Sequence, residues 1–230
     1  MQDVMAMKSS LRSALKSRWI TSGSSELWGL SGGTYYEIKP ERLPELPNLD
    51  DYWKWLETQP EAPSSLEWER EDGSPGLVAM LADLDFVAPP FAVRFLSSPT
   101  RYKRVPSCTA CYLELSENPI PVPGYPGEYL LRFLNDSQAC CLWYLHFCPH
   151  KTPCVVSSDY LLDSDIFEAM QYEDAPEYAK CFEECYFSES SIERFVCRFS
   201  IENRIWFSLN DDVELTKEEF AYITAAQTKP

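Results

Sequence analysis

The stretch Tyr129–Ser158, YLLRFLNDSQACCLWYLHFCPHKTPCVVSS, constrains the fold more than any other part of the chain. Two dense apolar and aromatic runs are separated by the polar turn Asn135-Asp136-Ser137-Gln138. A third run, Cys154-Val155-Val156, follows the break Pro149-His150-Lys151-Thr152-Pro153. Short β-prone runs divided by turn residues specify antiparallel strands in a meander. Strict alternation puts Leu130, Arg132 and Leu134 on one face of the sheet and Leu131 and Phe133 on the other. Both faces therefore need cover, and helices are expected to supply it.

Those helices are legible on either side of the meander. Asn48 is placed to cap a helix with Asp50 and Asp51 in its first turn and Leu49, Tyr52, Trp53 and Leu56 on its apolar face. Pro89-Pro90 opens a second helix that runs through Phe91, Val93, Phe95 and Leu96. Residues 188–209 carry Ile192, Phe195, Val196, Phe199 and Trp206 on one helical face, with Ser188 or Ser190 as cap. Arg198 and Glu202 stand four apart and are expected to pair. A last helix is expected from Thr216 to Ala226, capped by Thr216. Tyr35–Ile38 reads as a short strand, Thr109–Leu115 as the first strand of the sheet, and residues 59–76 as a polar, acidic surface excursion. Helices, then consecutive strands, then helices describe an α+β domain whose antiparallel sheet is flanked by helices at both ends of the chain.

Residues 1–25 differ from the rest and are expected to form an extension to a single domain over residues 26–230. Met7, Leu11, Leu15 and Trp19 recur every four residues among Lys8, Arg12, Lys16 and Arg18, which predicts a basic amphipathic helix. It either docks on the domain or serves as a targeting segment. No apolar run approaches the ~18 residues needed to span a bilayer, so the expected location is cytoplasmic.

Acidic residues outnumber basic ones 36 to 20, for a net charge of -16. That balance opposes binding to nucleic acid phosphates and to anionic membranes. It favours solubility and fast encounter with a basic protein. The local exception is a basic patch at Arg101, Lys103 and Arg104.

The nine cysteines make a poor disulfide framework, since Cys140 and Cys141 are adjacent in a predicted strand and point to opposite faces. They read as small buried hydrophobes in a reducing compartment. The alternative is a metal or thiol site built from Cys108, Cys111, Cys148, His150 and Cys154, where Cys108-x-x-Cys111 has ligand spacing. With only His146 and His150 available, no nucleophile–base pairing is evident. No phosphate-cradling glycine loop is present, so no catalytic residues and no cofactor are assigned. The binding candidates are aromatic and acidic: Asp136 and Gln138 in the hairpin turn beside Trp143 and Tyr144, and a second acidic stretch through Asp159, Asp163 and Asp165. The alternative is that Asp136 stabilises its own turn, Trp143 belongs to the core and the second stretch is a plain loop.

Several segments together resemble the SUKH superfamily, the Smi/Knr-like proteins. They are Leu84–Leu96, Val105–Tyr112, Leu131–Gln138, Trp143-Tyr144-Leu145 leading to Val155–Ser158, and the Phe195–Trp206 helix; the resemblance covers residues 84–224. It implies an α+β fold with a curved antiparallel sheet and no known catalytic centre. It also implies a protein-binding role, either as an immunity protein that neutralises a toxin or as a regulatory adaptor. The expectation is a non-enzymatic domain that meets a basic, toxin-like protein partner through an acidic, aromatic-bearing surface. The sequence sets no oligomeric state.

Overall fold

The structure is a computed structural model that describes residues 10–21, 28, 35–46, 51–62, 64–69, 74–164, 167, 171, 174–211 and 213–228. The chain opens with one helical turn, α1 (Leu11–Ala14), and two short strands, β1 (Lys16–Ser17) and β2 (Trp19–Thr21). β3 (Tyr36–Ile38) returns antiparallel to β2 as a separate ribbon. Next come α2 (Tyr52–Thr58), β4 (Glu67–Trp68), α3 (Ser74–Ala82), α4 (Pro90–Leu96) and α5 (Pro99–Tyr102). The strands β5 (Tyr112–Leu113), β6 (Ile120–Pro121), β7 (Tyr129–Asn135), β8 (Leu142–Phe147) and β9 (Cys154–Ser158) follow. The chain closes with α6 (Ala175–Glu183), β10 (Tyr186–Glu189), α7 (Ile192–Asn210) and α8 (Lys217–Thr228). Among the described residues no helix is long and apolar enough to cross a membrane.

The α+β class holds, but the sheet is mixed. Its order is β1-β10-β9-β8-β7-β5-β4, with β6 also on β7. The centre from β7 to β10 is antiparallel, whereas β1 joins β10 and β4 joins β5 in parallel. Parallel neighbours must arrive through long connections, and the periodicity within a single run carries no trace of a partner that distant.

A bulge corrects the expected face assignment. The register on β8 slips between Arg132, opposite Tyr144, and Leu134, opposite Trp143. The extra residue carries Leu134 over to the side of Leu131 and Phe133. That side packs Trp143, Leu145 and Phe147 against Phe195 and Phe199 of α7. The opposite side sets Leu130, Tyr144, Cys154 and Val156 against Phe182 of α6 and Leu11 of α1. Every residue of β8 and β9 is buried, as a sheet covered on both faces requires.

The first segment is not the expected helix. It stops at Ala14, and Trp19 lies in β2, where Ile20 and Thr21 favour extended backbone. Met7 and Lys8 lie outside the described residues. Trp19 Nε1 donates to Glu202 at 2.9 Å, and Glu202 also accepts from Tyr222 at 2.7 Å. Arg198 does not form the expected ion pair with Glu202. It donates instead to Glu189 at 2.9 Å, the Tyr222 hydroxyl at 3.0 Å and the Pro44 carbonyl at 3.0 Å. This buried network ties β2, β10, α7 and α8 together.

Helix starts follow capping chemistry, with two shifts from expectation. Asp51 caps α2, accepting from Trp53 N at 2.9 Å and Lys54 N at 3.1 Å, while Asn48 lies outside the described residues. Ser191 caps α7, accepting from Arg194 N at 3.4 Å, while Ser188 lies in β10 and Ser190 falls between the strand and the cap. Thr216 and Glu219 form a reciprocal capping box at α8: Glu219 N donates to Thr216 Oγ1 at 3.2 Å, and Thr216 N to Glu219 Oε2 at 2.7 Å.

Candidate functional site

Most of the predicted site residues are part of the fold's interior. Trp143 and Tyr144 are both 0% exposed, on opposite faces of β8, so neither can anchor a partner. Tyr144 donates its hydroxyl to the Tyr160 carbonyl at 2.8 Å and accepts from Leu162 N at 3.1 Å. Asp136 is also buried. It holds the β7–β8 turn by accepting from Gln138 N at 3.1 Å and Cys140 N at 3.0 Å, and it takes the Tyr35 hydroxyl as a further donor. Burial first, then Cys111 and Asp136, raise the Tyr35 phenol, which keeps its proton for that bond. Gln138 alone of the four is exposed.

The second acidic stretch is engaged by arginines, with Asp159 exposed and Asp163 largely covered. Asp159 pairs with Arg18 at 2.9 Å. Asp163 grips Arg132 through two oxygens, at 2.9 and 3.1 Å from Nε and 2.8 Å from Nη2. Arg132 also reaches Glu114 and Asn135. Burial opposes its charge, but Asp163 and Glu114 outweigh burial and raise its pKa. Asp165 lies outside the described residues.

The five alternative metal ligands are split between the two ends of the β7–β8 hairpin. Cys108 and Cys111 precede β5, which pairs with the Leu134–Asn135 end of β7, while Cys148 and Cys154 flank the far turn. His150 sits exposed in that turn with φ 61°. Among the described residues no group of three or more His, Cys, Asp or Glu is placed to hold a metal ion. Burial also pushes Cys108 up to about 12 and Cys111 and Cys154 up to about 11. Metal ligation and nucleophilic attack need the opposite, an accessible thiolate.

At the far end a buried carboxylate gathers its neighbours instead. Glu128 accepts from His146 Nε2 at 2.8 Å, Leu11 N at 3.1 Å and Cys148 Sγ at 3.3 Å. With Nε2 carrying its proton toward Glu128, Nδ1 faces the Cys154 thiol at 3.7 Å. Burial pushes the Glu128 carboxyl up, but hydrogen bonds from His146, Ser10 and Cys148 outweigh it and hold the group below its ordinary value. The cluster fastens α1 to the sheet.

The feature with open surface chemistry is a cleft of about 650 Å³ at the β4–β5 edge, bordered by Glu67, Trp68, Glu69, Tyr112 and Ser137. Local stitching builds it. Glu67 pairs with Tyr112 and Trp68 with Leu113, and Glu69 N continues the ladder to the Leu113 carbonyl at 3.1 Å. Trp68 Nε1 donates to the Leu96 carbonyl at 3.2 Å, which fixes the indole plane. Ala110 turns the chain at φ 52°, and Ser107 Oγ accepts from Cys111 N at 2.7 Å, so Tyr112 enters the strand facing the cleft. Ser137 Oγ donates to the Thr109 carbonyl at 3.0 Å, bringing the Asp136–Gln138 turn to the rim.

The cleft is acidic. Glu67 and Glu69 are exposed and, among the described residues, enter no ion pair. Burial raises the Tyr112 phenol, and Glu114, Glu69 and Asp136 add to the rise against the opposing Arg132. Tyr112, the register partner of Glu67, lies on the side of the two carboxylates, while Trp68 pairs with buried Leu113 and packs on the core. A tyrosine ring beside two carboxylates that enter no ion pair among the described residues suits a guanidinium or ammonium group, which gains from both the charge and the ring face. Sequence reasoning placed Glu67, Trp68 and Glu69 in a surface excursion and missed them, while Tyr112 fell in the expected strand Thr109–Leu115. The available signal was Glu67-Trp68-Glu69 itself, a charged–aromatic–charged alternation typical of a half-buried strand. No protein-family model, curated protein or solved structure matches this chain.

Proposed function

We propose that this chain is a non-enzymatic protein-binding domain that takes a basic side chain of its partner into the Glu67–Glu69 cleft. The observation that carries this reading is the pair of exposed carboxylates, Glu67 and Glu69, that border the cleft beside Tyr112 and enter no ion pair among the described residues. The net charge of -16 supports it by steering a cationic partner toward the surface before contact. The concrete version is an immunity role, with the partner a basic toxin. It draws on the resemblance to the SUKH superfamily, whose helix-flanked sheet agrees in outline with the α+β architecture here. The parallel edge pairs depart from the meander that the resemblance implies.

Fluorescence anisotropy with a labelled arginine-bearing peptide tests the cleft directly. Binding is expected to weaken about tenfold in the E67Q/E69Q variant. It should also weaken steeply as salt rises from ~0.05 to ~0.2 M, where exposed charges become screened. Equal affinity for wild type and variant would remove the cleft from the interaction.

A further inference from the structure

A second face of opposite sign lies on the helices. Residues 86–113 contain Arg94, Arg101, Lys103 and Arg104 and neither Asp nor Glu, in a chain where acids dominate. The fold concentrates these cations. The Arg94 and Arg101 guanidinium carbons lie 4.5 and 5.1 Å from the centroid of the same ring, Trp53 of α2, which itself stacks on Phe91 at 4.3 Å. Arg204 of α7 comes to the same place, donating to the Arg104 carbonyl and, at 3.2 Å, to the Pro60 carbonyl.

What holds these arginines is mostly neutral. Arg101 donates to the Arg94 carbonyl at 3.3 Å, and Arg104 to the carbonyls of Thr100, at 2.9 Å, and Gln59. Carbonyls fix a guanidinium in place without cancelling its charge. The acids nearby do little to cancel it. Glu57 reaches Arg101 only at 3.8 Å and is half exposed. Glu61 is exposed and enters no ion pair among the described residues. Glu218 and Glu219 face Arg204 but are engaged by Trp55 Nε1 and by the α8 capping box. Burial, with Arg104 adding to it, lowers the Arg204 pKa against the pull of those two acids. Arg94 and Lys103 are exposed, and neither meets a carboxylate among the described residues.

We infer that this face, centred on Trp53, Arg94 and Arg101, binds a carboxylate-rich segment of a protein partner. Guanidinium forks match carboxylates in two-point contact, and an ordered fork loses little freedom on binding. The half-buried Trp53 beside them suits apolar residues between the acids of such a segment. A nucleic acid would extend past the patch onto a body carrying -16 net charge, whereas a short peptide stays within the Debye length of the cations. The inference rests on residues separate from the β4–β5 cleft.

The test uses three labelled probes in anisotropy titrations: a short peptide of glutamates interleaved with leucine, its glutamine counterpart, and a single-stranded oligonucleotide of similar length. The glutamate peptide is expected to bind about tenfold tighter than the glutamine peptide. R94Q/R101Q and, separately, K103E should each erase that advantage, while E67Q/E69Q leaves it intact. Lys103 is exposed, so K103E keeps the test valid if the arginine double variant fails to fold. Equal binding of the two peptides, unchanged binding by the cation variants, or tighter binding of the oligonucleotide would each overturn the proposal.

Discussion

At the scale of single residues, Glu128 shows how a charge can be held inside a fold. Burial disfavours its ionised form, and donors from His146, Ser10 and Cys148 more than restore it. Its folded pKa is therefore depressed, so the stability it adds is complete above the unfolded-chain carboxylate value of about 4.3. That stability is lost as pH falls through the lower folded value. Urea melts across pH 2–7 should show wild type losing stability on acidification more steeply than E128Q. At neutral pH, E128A should cost about 2–4 kcal/mol, since it leaves the buried His146 imidazole N–H and the Leu11 amide without an acceptor. A loss under 1 kcal/mol would mean that the cluster does not fasten α1. Glu202 has the opposite sign, because burial raises its pKa in spite of Trp19, Tyr222 and Arg198. Local pattern could not tell these two carboxylates apart, but it did offer Asp136 as a turn stabiliser and Trp143 as a core residue, and both readings hold. Apolar residues on both faces of the strands called for cover on both, and Phe195 on one side and Phe182 on the other supply it.

At the scale of elements, the strongest sequence signals were those with a local cause. The Pro89-Pro90 start of α4, the Thr216 cap of α8 and the hairpin at Asp136 depend on neighbours a few residues away, and all three stand. The errors arose where a distant partner decides. β4 exists because β5 pairs with it, and Leu134 changes face because β7 slips against β8. Asp51 offers a clean test of a local cause. D51A removes the acceptor for two amides at the head of α2, the helix that presents Trp53. It should lower stability by about 1 kcal/mol. E61A, an exposed change just past the helix, should stay within ~0.5 kcal/mol. A thermal melt of both variants decides the comparison, and equal midpoints would deny the cap its role.

At the scale of the whole molecule, the cysteines report on how completely the sheet is wrapped. Cys140 in the β7–β8 turn is exposed, Cys108 is partly covered, and the other seven are buried. Titration of the native protein with a thiol reagent, read by peptide mass, should modify Cys140 first. The buried thiols should react on the order of a hundredfold more slowly, as they wait for local opening of ~3 kcal/mol. Rapid labelling of Cys154 or Cys197 would mean that the cover over either face is loose. Composition foretold buried thiols, but which one stays outside is set by the turn geometry around Asp136.

The sheet margin next to β10 has a temporal meaning. β1 lies parallel to β10, and Arg18 N donates to the Phe187 carbonyl at 2.9 Å. A growing chain releases residues 16–18 from the ribosome long before residues 186–189 are made. β1 must therefore wait for its neighbour, and this edge is sealed only once β10 has been added beside β9. Translation halted anywhere before β10 leaves β1 without the neighbour it pairs with in the finished sheet.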